Sequence, residues 1–255
     1  MGAWPVDAIR EAVAPLLPGF AVEVLAEIDS SNTELMRRAR AGRTGPVLLV
    51  AEQQTAGRGR LGRAWQSAPG DSLMFSLGLP LAPADWSGLS LAVGVSVAES
   101  LHPRARLKWP NDLWLDDDRK LAGILIETAS SGGAATPRYA VIGVGINIAP
   151  RPALGLSTPP ACLQDLDLQA EAGSTLLRVA EPLVRTVLAF QDYGFAPFRA
   201  RFAARDVLLD RPVKLSDGTA GTAHGVAEDG SLLVHTAAGM QAISSSEVSV
   251  RPAAP

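Results

Sequence analysis

Four short segments carry residue types able to gather anions and hold a flat ligand. Gly57-Arg58-Gly59-Arg60-Leu61-Gly62-Arg63 interleaves three glycines with three arginines. Glycines let backbone N–H groups approach an anion closely, and guanidinium forks add charge and paired donors. The segment suits a phosphate or a carboxylate; taken alone it also describes a solvated basic loop. No helix signal follows at once, so it is not the Gly-x-Gly-x-x-Gly nucleotide fingerprint. In Lys108-Trp109-Pro110-Asn111-Asp112 the proline fixes a rigid corner that would hold a cation, an amide and a carboxylate together. An ordinary turn with Trp109 in the core is the plain alternative. Lys120-Leu121-Ala122-Gly123-Ile124-Leu125-Ile126-Glu127 sets a lysine at the mouth of an apolar strand, where its charge is costly unless it meets an anion or snorkels out. Gly123 weakens that strand unless something must approach the backbone. Gly143-Val144-Gly145-Ile146-Asn147 puts two glycines on one face of a strand, clearing a floor for a ring system or for close packing on a helix.

Lysine is scarce. Of 23 basic residues, Lys108, Lys120 and Lys214 alone are lysine. Two of the three fall in these segments, in a chain whose composition otherwise favours arginine.

The elements that must position these residues follow from periodicity and punctuation. Helices are predicted over Pro5 to Leu17, from the capping box Ser31-Asn32-Thr33-Glu34 to about Gly42, over Asp85 to Leu101, over Ser174 to Tyr193, and in a shorter piece ending near Val207. Strands are predicted at Ala21 to Ile28, Val47 to Gln53, Ser72 to Leu79, around Leu113-Trp114-Leu115, at Leu121 to Glu127 and at Tyr139 to Ile148. Asp116-Asp117-Asp118 reads as an acidic surface turn. Ser130 to Pro137 reads as a Ser/Gly/Ala loop, and Arg151 to Pro160 as irregular. From Arg211 the texture changes to short strands with Asp217-Gly218 and Asp229-Gly230 turns, which suits a small β-barrel. The expected architecture is α+β: a mixed, mostly antiparallel sheet flanked by helices over residues 1–207, and a small barrel over 208–255.

Composition narrows the classes. With 47% hydrophobic and 19% charged residues over 255 positions, the chain is long and apolar enough to bury a sizeable core. A formal net charge of −3 gives no global field for nucleic acid. One cysteine, Cys162, precludes an internal disulfide. The first residues lack a secretion-signal pattern, and no apolar run reaches the roughly 18–20 residues that span a bilayer. The chain is read as soluble and cytoplasmic, without membrane contact.

Together and in this order, the segments resemble the biotin–protein ligase family. The resemblance runs from Asp29-Ser30-Ser31-Asn32 through Gln54, the Gly57–Arg63 loop, Trp65, Lys108–Asp112, Lys120–Leu125 and Gly145-Ile146-Asn147 to Arg211-Pro212-Val213-Lys214-Leu215. It implies a class II synthetase-like catalytic domain with a C-terminal SH3-like barrel. It also implies a two-step reaction: biotin and ATP form biotinyl-adenylate, and a lysine of a biotin carboxyl carrier protein then takes the biotin. Mg²⁺ would accompany the ATP, with few protein ligands. Family members that double as repressors carry an N-terminal helix-turn-helix domain of some sixty residues. Only about 28 residues precede the Asp29-Ser30 segment here, so no operator binding is expected. The acidic turn is one residue longer than in the best-known relative. Relatives include dimers built through sheet edges, so a homodimer is compatible with the resemblance.

By the same resemblance, Arg58, Lys120 and Asp112 are the catalytic candidates, with Asp112 orienting the acceptor amine. Ser30, Ser31, Asn32, Gln54, Arg58, Gly59, Arg60, Lys120, Gly123, Leu125, Gly143 and Gly145 would hold biotin. Arg58, Arg60, Trp65, Lys108, Asn111, Lys120 and Asn147 would hold the nucleotide. The loop from Gly57 to about Pro69 is expected to fold over the adenylate. A lipoate–protein ligase of the same fold is the nearest alternative; a noncatalytic nucleic-acid binder or biotin sensor is the alternative of another class.

Overall fold

A computed structural model describes residues 4–65, 70–130, 137–152, 158–244 and 250–252. A seven-stranded sheet forms the centre. Its strands are β1 (Ala21–Ile28), β2 (Val47–Gln54), β3 (Ser72–Leu81), β4 (Arg106–Lys108), β5 (Asp112–Trp114), β6 (Lys120–Ala129) and β7 (Arg138–Asn147). They run in the order β1-β2-β3-β7-β6-β5-β4. The β1–β2 pair is parallel and every other pair antiparallel, as the mixed-sheet expectation requires.

Strand alternation decides which face does what. On β3, Leu73, Phe75, Leu77 and Leu79 enter the main core, while Met74 and Ser76 point the other way. On β7, Ile142, Val144 and Ile146 enter that core, and Gly143 and Gly145 share the opposite face with Val141. The register sets Gly123 beside Gly145 and Leu125 beside Gly143. Helices α1 (Val6–Val13), α3 (Leu89–Leu101) and α4 (Ala172–Tyr193) cover the main-core face. Helix α2 (Ser31–Arg40) packs Leu35, Met36 and Ala39 against Leu49 and Val141 on the other. The glycine-lined strip beyond α2 is therefore the sheet's uncovered surface.

Several boundaries differ from expectation for local reasons. Helix α2 is capped by Ser30, whose hydroxyl accepts the Thr33 N–H at 3.4 Å. The expected capping box does not form, because Glu34 instead pairs with Arg37 and Arg38. Helix α3 starts at Leu89, since Gly88 in left-handed backbone (φ 81°) ends the approach from Asp85. The three-residue β4 is too short to show periodicity. Residues 131–136 and 153–157, in the two expected loops, lie outside the described residues.

The C-terminal strands β8 (Pro212–Leu215), β9 (Ala220–Val226), β10 (Leu232–Thr236), β11 (Gly239–Ile243) and β12 (Val250–Pro252) form one antiparallel sheet. The short helix α5 (Arg199–Ala203) precedes them. The acidic turn is more than a surface turn. Asp118 receives two hydrogen bonds from Arg211, at 2.7 and 2.6 Å, tying the start of the C-terminal strands to the turn between β5 and β6 of the central sheet. Trp109 Nε1 donates to Gly230 O at 3.0 Å, so the Asp229-Gly230 turn is pinned to the proline corner. Among the described residues no helix is long and apolar enough to cross a membrane.

One buried carboxyl is costly. Asp206 sits in the connection beside β4; its Oδ1 accepts the Leu208 N–H, but its enclosed Oδ2 has no hydrogen-bond partner among the described residues. Burial pushes its carboxyl up to about 6. A raised carboxyl value means the folded state holds the proton more tightly. The stability this contributes is full below about 4 and is lost as pH rises through about 6. Asp206→Asn is expected to stabilise the protein at pH 7.5 by about 1–3 kcal/mol, with the gain vanishing near pH 4. Urea unfolding at the two pH values tests it, and equal gains at both would remove the titration from the explanation.

Candidate active site

The uncovered strip opens into a cleft with a cavity volume of about 190 Å³. The N-terminus of α2 supplies Ser30, Ser31 and Asn32, and the end of β2 supplies Gln54. The loop after β2 supplies Arg58, Gly59, Arg60 and Trp65, and the proline corner Lys108, Asn111 and Asp112. Lys120, Gly123, Leu125, Gly143 and Gly145 complete the expected set. Every site residue expected from the sequence lines this cleft except Asn147.

Asn147 lies fully buried beneath it. Its Nδ2 donates to Lys120 O at 3.1 Å and Ala161 O at 2.8 Å, holding the first residue of β6 against the following segment. In this conformation it touches the site through the Lys120 backbone.

The arginine loop is a short hairpin. Gly59 N–H donates to Arg63 O at 2.7 Å and Trp65 N–H to Gly57 O at 2.9 Å, with Leu61 and Gly62 in left-handed backbone at its tip. Residues 66–69 of the expected cover lie outside the described residues. Arg58 reaches Glu127 at 3.1 Å and Thr33 Oγ1 at 3.4 Å. Arg60 donates to Asn111 Oδ1 at 3.3 Å, and burial lowers its guanidinium below the ordinary value. Lys120 Nζ pairs with Asp112 Oδ1 at 2.7 Å. Lys108 is buried over the Trp114 ring, 5.2 Å from its centroid. Burial pushes its ammonium down to about 8, partly offset by Asp112, and an anion bound here would raise it again and favour the charged form.

The glycines clear space, but for the protein's own side chains. A Cβ at Gly143 would lie 2.1 Å from Asn32 Oδ1, and one at Gly145 would lie 2.6 Å from the Trp65 ring. Gly123 sits under Trp65 and Lys120, with a Cβ position 3.2 Å from each. Trp65 thus lies on the floor, with Lys120 5.7 Å and Arg151 5.4 Å from its ring.

Three contributors were not singled out from the sequence. Glu127 receives both Arg58 and Asn32 Nδ2, the latter at 3.0 Å. Arg151 lines the cleft beside Trp65. Ser76 backs Ser31 and Asn32. A lone hydroxyl in the apolar run Leu73 to Leu79 was a signal for Ser76, since a buried hydroxyl needs a partner. Arg151 had no such signal.

The site thus joins a polar pocket at a helix start to a basic corner that also carries a carboxylate, an arrangement with donors for a polar ring at one end and cations for anions at the other. Residues 25–147 match the Biotin/lipoate A/B protein ligase family, and residues 208–251 match the Biotin protein ligase C terminal domain. The chain is 39% identical over 253 residues to the bifunctional ligase/repressor BirA of Escherichia coli, covering 93% of this chain and 76% of that one. It is 34% identical to the biotin–[acetyl-CoA-carboxylase] ligase of Paracoccus denitrificans, covering 88% and 98%. It superposes on the Aquifex aeolicus biotin protein ligase solved with biotin and ATP with a TM-score of 0.77 at 29% identity, covering 91% and 99%. The chain belongs to the biotin protein ligase family.

Proposed function

We propose that the cleft activates biotin with ATP and passes it to a lysine of a biotin carboxyl carrier protein. The observation that carries this is the Lys120–Asp112 pair, at 2.7 Å, between the polar ring pocket and the basic corner. In the first step a biotin carboxylate oxygen attacks the α-phosphorus of ATP, and pyrophosphate leaves. In the second the carrier lysine's amine attacks the acyl carbon, AMP leaves, and the amine sheds a proton. Carboxylate and triphosphate repel each other, so the first step needs cations: Arg58, Arg60, Lys108 and Lys120 supply them around one cavity. In this reading Lys120 contacts the carboxylate and the phosphorus it attacks, and Asp112 orients the incoming amine; their 2.7 Å contact supports it. The ring end is lined by Ser30, Ser31, Asn32 and Gln54.

Among the described residues no cluster of three or more His, Cys, Asp or Glu side chains could hold a metal, and Asp112 is the carboxylate among the cleft's lining residues. That donor set fits a Mg²⁺ held mainly by phosphate oxygens and water, which would neutralise phosphate charge when bound. The edge strand β1 is compatible with a homodimer through the sheet.

The purified chain is expected to catalyse biotin-dependent ATP–pyrophosphate exchange, with lipoate unable to replace biotin. Exchange with lipoate at the higher rate would move the chain to the lipoate branch. Arg58→Ala is expected to raise the KM for biotin about 10–100-fold, the scale of a lost charge-assisted hydrogen bond. It should also leak adenylate, read as indiscriminate lysine labelling of a bystander protein. Unchanged kinetics would reduce the loop to a solvated charge cluster.

A further inference from the structure

Ser76 lies on β3 behind the cleft, fully buried, and does not line it. We propose that Ser76 fixes the Ser31 hydroxyl as a hydrogen-bond acceptor toward the ligand, so that the pocket selects a ring N–H over a ring oxygen at that point. This rests on the biotin reading above, since biotin carries a cyclic urea.

Proton counting carries the inference. Ser76 Oγ is 2.6 Å from Asn32 Oδ1 and 2.7 Å from Ser31 Oγ, and it owns one proton. The Asn32 amide has one possible orientation. Its nitrogen faces Leu125 O at 3.1 Å and Glu127 Oε2 at 3.0 Å, a carbonyl and a carboxylate that only accept. Oδ1 therefore faces Ser76 and cannot donate, so the Ser76 proton goes to Asn32. The 2.7 Å contact to Ser31 is then a hydrogen bond only if Ser31 donates. The other acceptor within reach of Ser31, Gln54 Oε1, is farther at 3.3 Å and already accepts the Ser31 N–H at 2.7 Å. With its proton committed backward, Ser31 presents lone pairs to the cleft.

Ser30 has the opposite polarity. Its oxygen accepts the Thr33 N–H as the cap of α2, which leaves its proton available. An acceptor beside a donor complements the N–H and C=O edge of a cyclic urea. Ser76 is a positioning residue in this scheme, acting through Ser31 and Asn32.

The test compares biotin with its two cyclic carbamate analogues, in each of which one ring N–H is replaced by oxygen. Dissociation constants are measured by titration calorimetry on the full chain. The wild type is expected to bind one carbamate at least about 100-fold more weakly than biotin, because two acceptors then face each other. In Ser76→Ala that ratio is expected to narrow about tenfold, since the Ser31 hydroxyl is free to turn and donate. Ser76→Cys, which keeps the volume with a weak donor, should narrow it part of the way and guards against an alanine variant that does not fold. A merely structural Ser76 would weaken biotin and carbamate by one factor, leaving the ratio unchanged; that result overturns the proposal, as does a wild type that binds both carbamates like biotin. A wild type that binds no biotin at all would instead overturn the functional reading and this inference with it.

Discussion

Replacing Lys120 by alanine or by arginine is expected to slow adenylate formation about 10²–10³-fold, the range for removing one group that stabilises developing charge. The site explains why arginine should fail almost as badly. Lys120 Nζ is held at 2.7 Å by Asp112, lies 5.7 Å over the Trp65 ring and is 3.2 Å from the Cβ position of Gly123. A planar guanidinium is longer and wider, and at this point it would press on the indole or the β6 backbone before reaching a shared carboxylate–phosphate oxygen. The composition agrees, since a chain with 20 arginines among 23 basic residues has kept a lysine here. Pyrophosphate exchange at saturating biotin measures the effect. Thermal stability should fall by no more than about 1 kcal/mol, the worth of a partly exposed ion pair. An arginine variant with most of the wild-type exchange rate would make Lys120 a strand-end charge that merely partners Asp112.

The second large effect is expected at Gly143. A methyl group there would lie 2.1 Å from Asn32 Oδ1, and Asn32 has nowhere to go. Its carboxamide is held by Leu125 O, Glu127 and Ser76. Gly143→Ala must break those bonds or bend β7, and overpacking of this kind costs about 1–3 kcal/mol. The damage falls on the ring pocket rather than on the phosphate corner. Biotin affinity should therefore weaken about 100-fold, while binding of ATP alone changes little. Gly145→Ala is the informative contrast: its Cβ position meets the Trp65 ring at 2.6 Å, so the nucleotide side should suffer more. Equal losses for biotin and ATP in both variants would show a general collapse of the sheet in place of two separable subsites.

What the sequence determined by itself is the material that is local and periodic. Strand alternation over Leu73 to Leu79 and Ile142 to Ile146 already separates a core face from a glycine-and-polar face. The Ser30–Asn32 helix start, the arginine loop, the proline corner and the scarcity of lysine name most of the cleft's lining. The change of texture at Arg211 announces the barrel. Tertiary structure alone decided the rest, because it depends on contacts between distant segments. Lys120 meets Asp112 through the pairing of β5 with β6, and Arg58 meets Glu127 across about seventy positions of chain. Asn147 reads as a nucleotide ligand in a Gly-Ile-Asn motif; the fold commits its Nδ2 to Lys120 O and Ala161 O and leaves its buried Oδ1 without a partner among the described residues. The glycines looked like a bare floor, and they make room for Asn32 and Trp65. The acidic turn looked idle until Arg211, arriving from the barrel, supplied its partner. In each case the sequence gives a residue's chemistry and the face it occupies; the partner, and hence the direction of every proton and charge contact, is set by which strand the fold brings alongside.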